Sequence, residues 1–119
     1  MFYTGIGMEK KNFLVVSYEG CGVDIAWHIL KEGNEVKMYI QDKDAQDMGE
    51  GILEKVTDWK AEVDWADVII FDEHFGFGNA PTQLRKAGKL VVGGSAYTDQ
   101  LEFDRSFGQS ELKKHGVPI

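Results

Sequence analysis

The sequence predicts a doubly wound α/β domain. Its core is a mostly parallel five-stranded sheet of Rossmann-like order, covered by helices on both faces as a three-layer sandwich. Three observations predict it. Phe13–Ser17, Val68–Phe71 and Leu90–Val92 are continuous apolar runs rich in valine and isoleucine, the pattern of strands covered on both faces. Segments of helical period separate them. The strand–helix unit recurs at roughly thirty residues, the length of a right-handed βαβ crossover.

Taken in order, Phe13–Ser17 forms the first strand and Tyr18-Glu19-Gly20-Cys21-Gly22 a tight turn. Val23, Ala26, Trp27 and Leu30 recur at i, i+3, i+4 and i+7, so a helix follows, and Gly33 stops it. Val36, Met38 and Ile40 alternate with Glu35, Lys37 and Tyr39, which predicts a half-exposed second strand. The segment 41–51 is polar and acidic and reads as a loop or a short surface helix. Leu53–Val56 reads as a short edge strand, and one helical turn is expected between Trp59 and Trp65. Val68–Phe71 is the next strand. Pro81 suits a first helical turn, Leu84 and Ala87 supply an apolar face, Gly88 ends that helix, and Leu90–Val92 is the last strand. The expected order sets the Phe13 and Val68 strands side by side at the centre.

A chain of 119 residues with net charge −7 is one small domain by length, and its acidity argues against nucleic acid as a partner. No apolar run reaches membrane-spanning length, and no signal peptide opens the chain. Cys21 is the single cysteine, which excludes an internal disulfide and suits a reducing cytoplasm. Met8 reads as a natural start, which would make Met1–Gly7 a loose extension; the expected organisation is an N-terminal extension over 1–11, a domain over 12–98 and a linker helix over 99–119.

Ligands in such sheets bind at the carboxyl ends of strands where the order reverses. That rule sets Ser17–Gly22 and Asp72–Gly78 on two sides of one crevice. Gly20-x-Gly22 opens a helix after a strand, where free N–H groups favour an anion, or else it is a tight turn needing glycine for its backbone. Ile25 stands where a dinucleotide fingerprint wants a third glycine, although Asp42 has the spacing of a ribose-binding acid. Candidate substrate or phosphate contacts are therefore Ser17, Gly20, Gly22, Glu73, Gly76, Gly78, Gly94 and Ser95. A Gly22→Asp change is expected to abolish phosphate binding and leave the fold intact. Glu73 at the strand end could receive an amine or a sugar hydroxyl, or be a solvated turn residue. Phe75 and Phe77 either lid the crevice or plug the sheet end. Asp42, Asp44 and Asp47 do not fit a calcium loop, because Asp47 and Leu53 occupy the places of its glycine and glutamate. His28 and His115 lack partners at metal spacing, so no metal site and no catalytic residue is assigned. Cys21 reads as a small packing residue, or as a thiol made acidic by the helix N-terminus.

The C-terminal stretch opens with Gly93-Gly94-Ser95. Asp99 and Glu102 have capping-box spacing and predict one helix from Asp99, with Phe103 and Phe107 sharing a buried face. Gly116 stops it, and Val117-Pro118-Ile119 turns extended, as at a domain boundary.

Gly93-Gly94-Ser95, Leu101-Glu102, Arg105, Phe107 and Gly116-Val117-Pro118 together resemble the end of the N-terminal, pre-ATP-grasp domain of ATP-grasp ligases. The resemblance is greatest to the phosphoribosylamine–glycine ligase (glycinamide ribonucleotide synthetase) family of purine biosynthesis. The Asp104-Arg105 pair is similar to carbamoyl phosphate synthetase. Glu73 matches a strand-end glutamate of the family, whereas Glu19-Gly20-Cys21-Gly22-Val23 replaces its Gly-Gly-Arg-Glu-His. The resemblance implies a substrate-binding domain for C–N bond formation through an acyl phosphate, inactive alone. It implies ATP and Mg²⁺ in the full-length enzyme and none in this chain by itself, with Arg105 reaching the ATP, or else ion-pairing with Glu102 or Asp104. The implied partners are a small-molecule amine or phosphorylated sugar and an ATP-grasp domain, with a homodimer left open. The alternative is a free-standing Rossmann-like nucleotide- or metabolite-binding or interaction module without enzymatic activity.

Overall fold

The computed structural model describes residues 9–73 and 76–118. Five strands, β1 (Asn12–Ser17), β2 (Glu35–Ile40), β3 (Glu54–Lys55), β4 (Val68–Phe71) and β5 (Leu90–Val92), form one sheet in the order β3-β2-β1-β4-β5. All four pairings are parallel. Phe13 lies opposite Val36 on one side and Val68 on the other, so β1 and β4 are neighbours as expected. The helices are α1 (Val23–Lys31), α2 (Ala80–Lys86), α3 (Ala96–Phe103) and α4 (Arg105–Lys114). Short 3₁₀ turns, Lys43–Ala45 and Trp59–Glu62, break the long β2–β3 and β3–β4 connections.

The two faces of the sheet bury different residues. Leu14, Val16, Ile69, Phe71 and Val91 pack with Trp59 and, from α2, Leu84. Val15, Val36, Met38 and Ile40 pack with Ala26 of α1 and with Leu53. Alternation along the strands produces this split, because successive side chains leave a strand on opposite faces. β5 corrects the expectation of a strand covered on both sides. Val91 is buried, but Leu90 and Val92 are 63% and 53% exposed. α2 covers the Val91 face, while α3 and α4 pack chiefly on each other. At the far edge, β3 pairs Glu54 with Lys37 and Lys55 with Met38. Lys37 there meets Glu62 at 2.7 Å and lies 4.4 Å from the Trp65 ring, which ties the Trp59–Glu62 turn to β2.

The C-terminal helix is two helices. Ser95 and Thr98 form a reciprocal capping box that starts α3, so Asp99 lies inside its first turn rather than capping it. Asp104 then adopts an extended conformation, and its carboxylate accepts the Phe107 N–H at 2.9 Å to start α4. Two capping patterns overlapped in the sequence, and the hydroxyl pair won the first helix. Phe103 is consequently 64% exposed and does not share a buried face with Phe107, whose ring meets Tyr97 edge-on at 5.8 Å. Gly108 lets the two helices approach, since a Cβ there would lie 2.7 Å from the Leu101 carbonyl. At the end of α4, Gly116 takes φ +77° and the N–H groups of Gly116 and Val117 return to the carbonyls of Lys113 and Leu112. This is a Schellman closure, and Val117 and Pro118 belong to no strand.

Replacing Asp104 with alanine is expected to lower stability by about 1 kcal/mol, the usual worth of a helix cap. Urea unfolding of the two proteins measures it, and coincident midpoints would show that the cap does nothing.

Candidate functional site

The order reverses between β1 and β4, and their carboxyl ends carry the crevice. Ser17, the last residue of β1, is fully buried. Its hydroxyl donates to Oε2 of Glu73 at 2.9 Å and accepts the Gly20 N–H at 2.7 Å. The same Oε2 accepts the N–H groups of Tyr18 and Glu19, each at 2.7 Å. Glu73 thus takes up the Ser17 hydroxyl and the first two N–H groups of the turn. Burial pushes the Glu73 carboxyl upward, but the Glu19 N–H, the Ser17 hydroxyl and the Tyr18 N–H outweigh it and hold the group below the ordinary glutamate range.

Asp72 has the opposite surroundings. Both its carboxylate oxygens are shut off from solvent, and no hydrogen-bond donor among the described residues reaches either in good geometry. Burial raises its carboxyl above the ordinary aspartate range and the Glu73 charge adds to this, against weaker pulls from the Ser17 hydroxyl and the Gly22 N–H. Gly22 faces Asp72 directly: a Cβ at residue 22 would collide with Oδ2 and lie 2.9 Å from Cγ. The glycine therefore admits the chain's own acid rather than a ligand's phosphate. The two neighbouring carboxyls are thus pushed in opposite directions by their surroundings.

The exposed side of this turn is negative. Glu19, Cys21 and Glu73 each bring one ligand-type atom within 4.8 Å of the others. Cys21 is exposed rather than packed, and the Glu73 charge first, then burial, Asp72 and Glu19, raises its thiol. An acidic thiol is excluded by that field. Glu73 Oε2 in this group is already bound to three donors.

A narrow cleft runs from Glu73 toward the start of α3. Phe71, Glu73, Phe77, Gly78, Pro81, Gly94, Ser95 and Asp99 line it, and its free volume is about 10 Å³. Glu73, Gly78, Gly94 and Ser95 of the expected contacts meet here, and Ser17, Gly20 and Gly22 lie on the other side of Glu73 among the turn residues. Gly76 packs on the ring of Tyr18 instead. Arg105 lines a separate groove with Leu101, Glu102 and Gln109. Phe77 plugs the sheet end, its ring 5.6–6.5 Å from those of Phe71, Trp59, Tyr18 and Tyr39. Phe75 and His74 lie outside the described residues. Arg85 holds the turn after β5 by donating to the carbonyls of Gly94, Gly93 and Val91 at 2.6, 2.9 and 3.3 Å. Asp42 caps its own 3₁₀ turn by accepting the Asp44 N–H, and His28 lies 3.4 Å from Asp24.

No family model and no curated protein sequence matches the chain. Among solved structures, its fold is similar to shikimate dehydrogenase from Aquifex aeolicus, with a TM-score of 0.54 at 16% identity. The fold is Rossmann-like. The match covers 78% of this chain and 45% of the dehydrogenase, so the chain spans under half of that enzyme. At this identity the likeness is one of fold. It overturns the resemblance to phosphoribosylamine–glycine ligase, since the structural match is to a dehydrogenase and no ligase family model matches. Of the motif residues, Glu102 lies within α3, which Ser95 and Thr98 cap, and Gly116 closes α4. Ligase, ATP-grasp and purine biosynthesis fall with the resemblance. No helix among the described residues is long and apolar enough to cross a membrane.

Sequence reasoning set Asp72 at the crevice without giving it a role, and missed Asp99 as a cleft residue. Asp72 carried a signal, a second acid beside Glu73 at a central strand end. Asp99 was legible only as a helix cap.

Proposed function

We propose that this chain is a Rossmann-like module that binds a small metabolite at the switch point, through an amine head seated between Glu73 and Asp99. One observation carries the reading. The Tyr18 and Glu19 N–H groups at the head of the turn already bind Glu73, and the charged side chains lining the adjoining cleft are Glu73 and Asp99, both acidic. The nearby guanidinium of Arg85 is spent on backbone carbonyls. A free volume of about 10 Å³ takes one water-sized group, which is the size of a primary ammonium. Ser95 sits on the wall as a further polar contact, and Phe71, Phe77 and Pro81 supply the apolar lining common to small-ligand sites. A nucleotide suits the fold but would have to expel Glu73 to place its phosphate.

The test is an NMR titration with ethanolamine and, separately, with inorganic phosphate and NAD. Ethanolamine is expected to shift the amides of Glu73, Gly78, Gly94, Ser95 and Asp99, and the anions to leave 17–22 unmoved. Phosphate or NAD shifts centred on 17–22, with no response to the amine, would reverse the assignment.

A further inference from the structure

We infer that Asp72 and Glu73 form a proton-operated latch on the β1–α1 turn, closed while Asp72 is neutral and loosened when Asp72 ionises. The latch concerns the turn itself and does not rest on the amine assignment. The geometry comes first. Two consecutive acids at the end of β4 reach the same five-residue turn, which lies more than fifty residues away in the chain. Glu73 takes three donors from it and is the anion the turn is built to hold. Asp72 takes none in good geometry, yet its oxygens are sealed from water against Gly22. A carboxyl so placed is tolerated neutral and penalised charged, because a buried charge lacks both solvent and partner.

The groups facing Asp72 sharpen the argument. The Ser17 hydroxyl on β1 and the Gly22 N–H at the start of α1 offer weak compensation. Glu73, the next residue, opposes ionisation, and Glu19 on the turn brings a further carboxylate close to Glu73. None of these is a cation. Ionisation therefore adds a second negative charge to a dry pocket already holding one. Relief comes by moving Asp72 toward water, which weakens but does not break the hold of its chain neighbour Glu73 on the Tyr18 and Glu19 amides.

The sign follows from the raised Asp72 carboxyl. The closed turn disfavours the charged form, so closure is fully favoured below the ordinary aspartate value of about 3.9 and weakens as pH climbs toward the raised one. Glu73 is held low, so its charged form is favoured across that window.

Carboxyl-carbon NMR on the wild-type protein tests the proton without any variant. Amide exchange at Tyr18, Glu19 and Gly20, corrected for base catalysis, tests the latch. The expected results are an Asp72 carboxyl titrating above about 3.9, and protection of those amides falling several-fold across the same pH range. In Asp72→Asn the protection should be high and independent of pH. An Asp72 carboxyl at the ordinary value, or the same protection profile in wild type and Asp72→Asn, overturns the latch.

Discussion

Gly22→Asp is expected to destabilise the protein by on the order of 3 kcal/mol or more, from overpacking and from burying an unpaired charge. The first atom of any side chain at residue 22 lands on the Asp72 carboxylate, with Oδ2 in collision and Cβ of Asp72 at 3.0 Å. An aspartate also adds a third acid beside Asp72 and Glu73, where the described residues supply no cation. That loss is a large part of the about 5–15 kcal/mol that holds a typical domain. The expectation that this change spares the fold and only removes a phosphate is thereby corrected. Urea unfolding measures the loss, and a coupling experiment assigns its cause. Gly22→Ala alone should be clearly destabilising, and most of that cost should disappear when Asp72 is also alanine, because contacting residues are non-additive. Equal costs of Gly22→Ala in both backgrounds would show that Asp72 is not what the glycine accommodates.

The fold was legible because its signals are local. The apolar runs at Phe13, Val36 and Val68 and the helical period of Val23–Leu30 report burial directly, and the parallel order follows from handed crossovers. Even the two-residue edge strand at Glu54–Lys55 falls inside the Leu53–Val56 segment read as an edge strand. β5 was misread for a physical reason: a short apolar run reports hydrophobicity, not which neighbours arrive to cover it. Leu90 and Val92 look like Val15 and Val16 in sequence and differ only in having no helix above them. The site was legible in position and not in content. The carboxyl-end rule located Ser17, Gly22 and Glu73 together. What occupies the turn depends on the register that sets Val16 beside Phe71, so that the next residues, Ser17 and Asp72, emerge at the same level. A fifty-residue pairing of that kind has no trace in spacing. The same holds for α3, where Ser95–Thr98 and Asp99–Glu102 both satisfy a cap pattern and three-dimensional context chose between them.

Glu73→Ala should cost about 3 kcal/mol at neutral pH and should abolish part of the protein's sensitivity to acid. The carboxylate accepts three hydrogen bonds, and bonds to a charged acceptor are worth roughly 1.5–3 kcal/mol each. They are not additive here, since Glu19 is exposed and water can satisfy its N–H once the side chain is gone. The Ser17 hydroxyl is fully buried and has no such substitute. Glu73→Gln retains an oxygen acceptor and loses the charge, so about half of the cost is expected to remain. The pH dependence separates this contribution from plain packing. The Glu73 carboxyl is lowered in the folded protein, so its stabilisation is present above the ordinary glutamate value of about 4.3 and fades as pH falls through the lowered one. Asp72 runs in the opposite sense, gaining from protonation in the same direction of pH. Wild type should therefore lose more stability than Glu73→Ala between pH 7 and pH 3, and Asp72→Asn more than wild type. Urea midpoints at the two pH values supply the comparison. Parallel losses in all three proteins would mean that neither acid is tuned by the turn it holds.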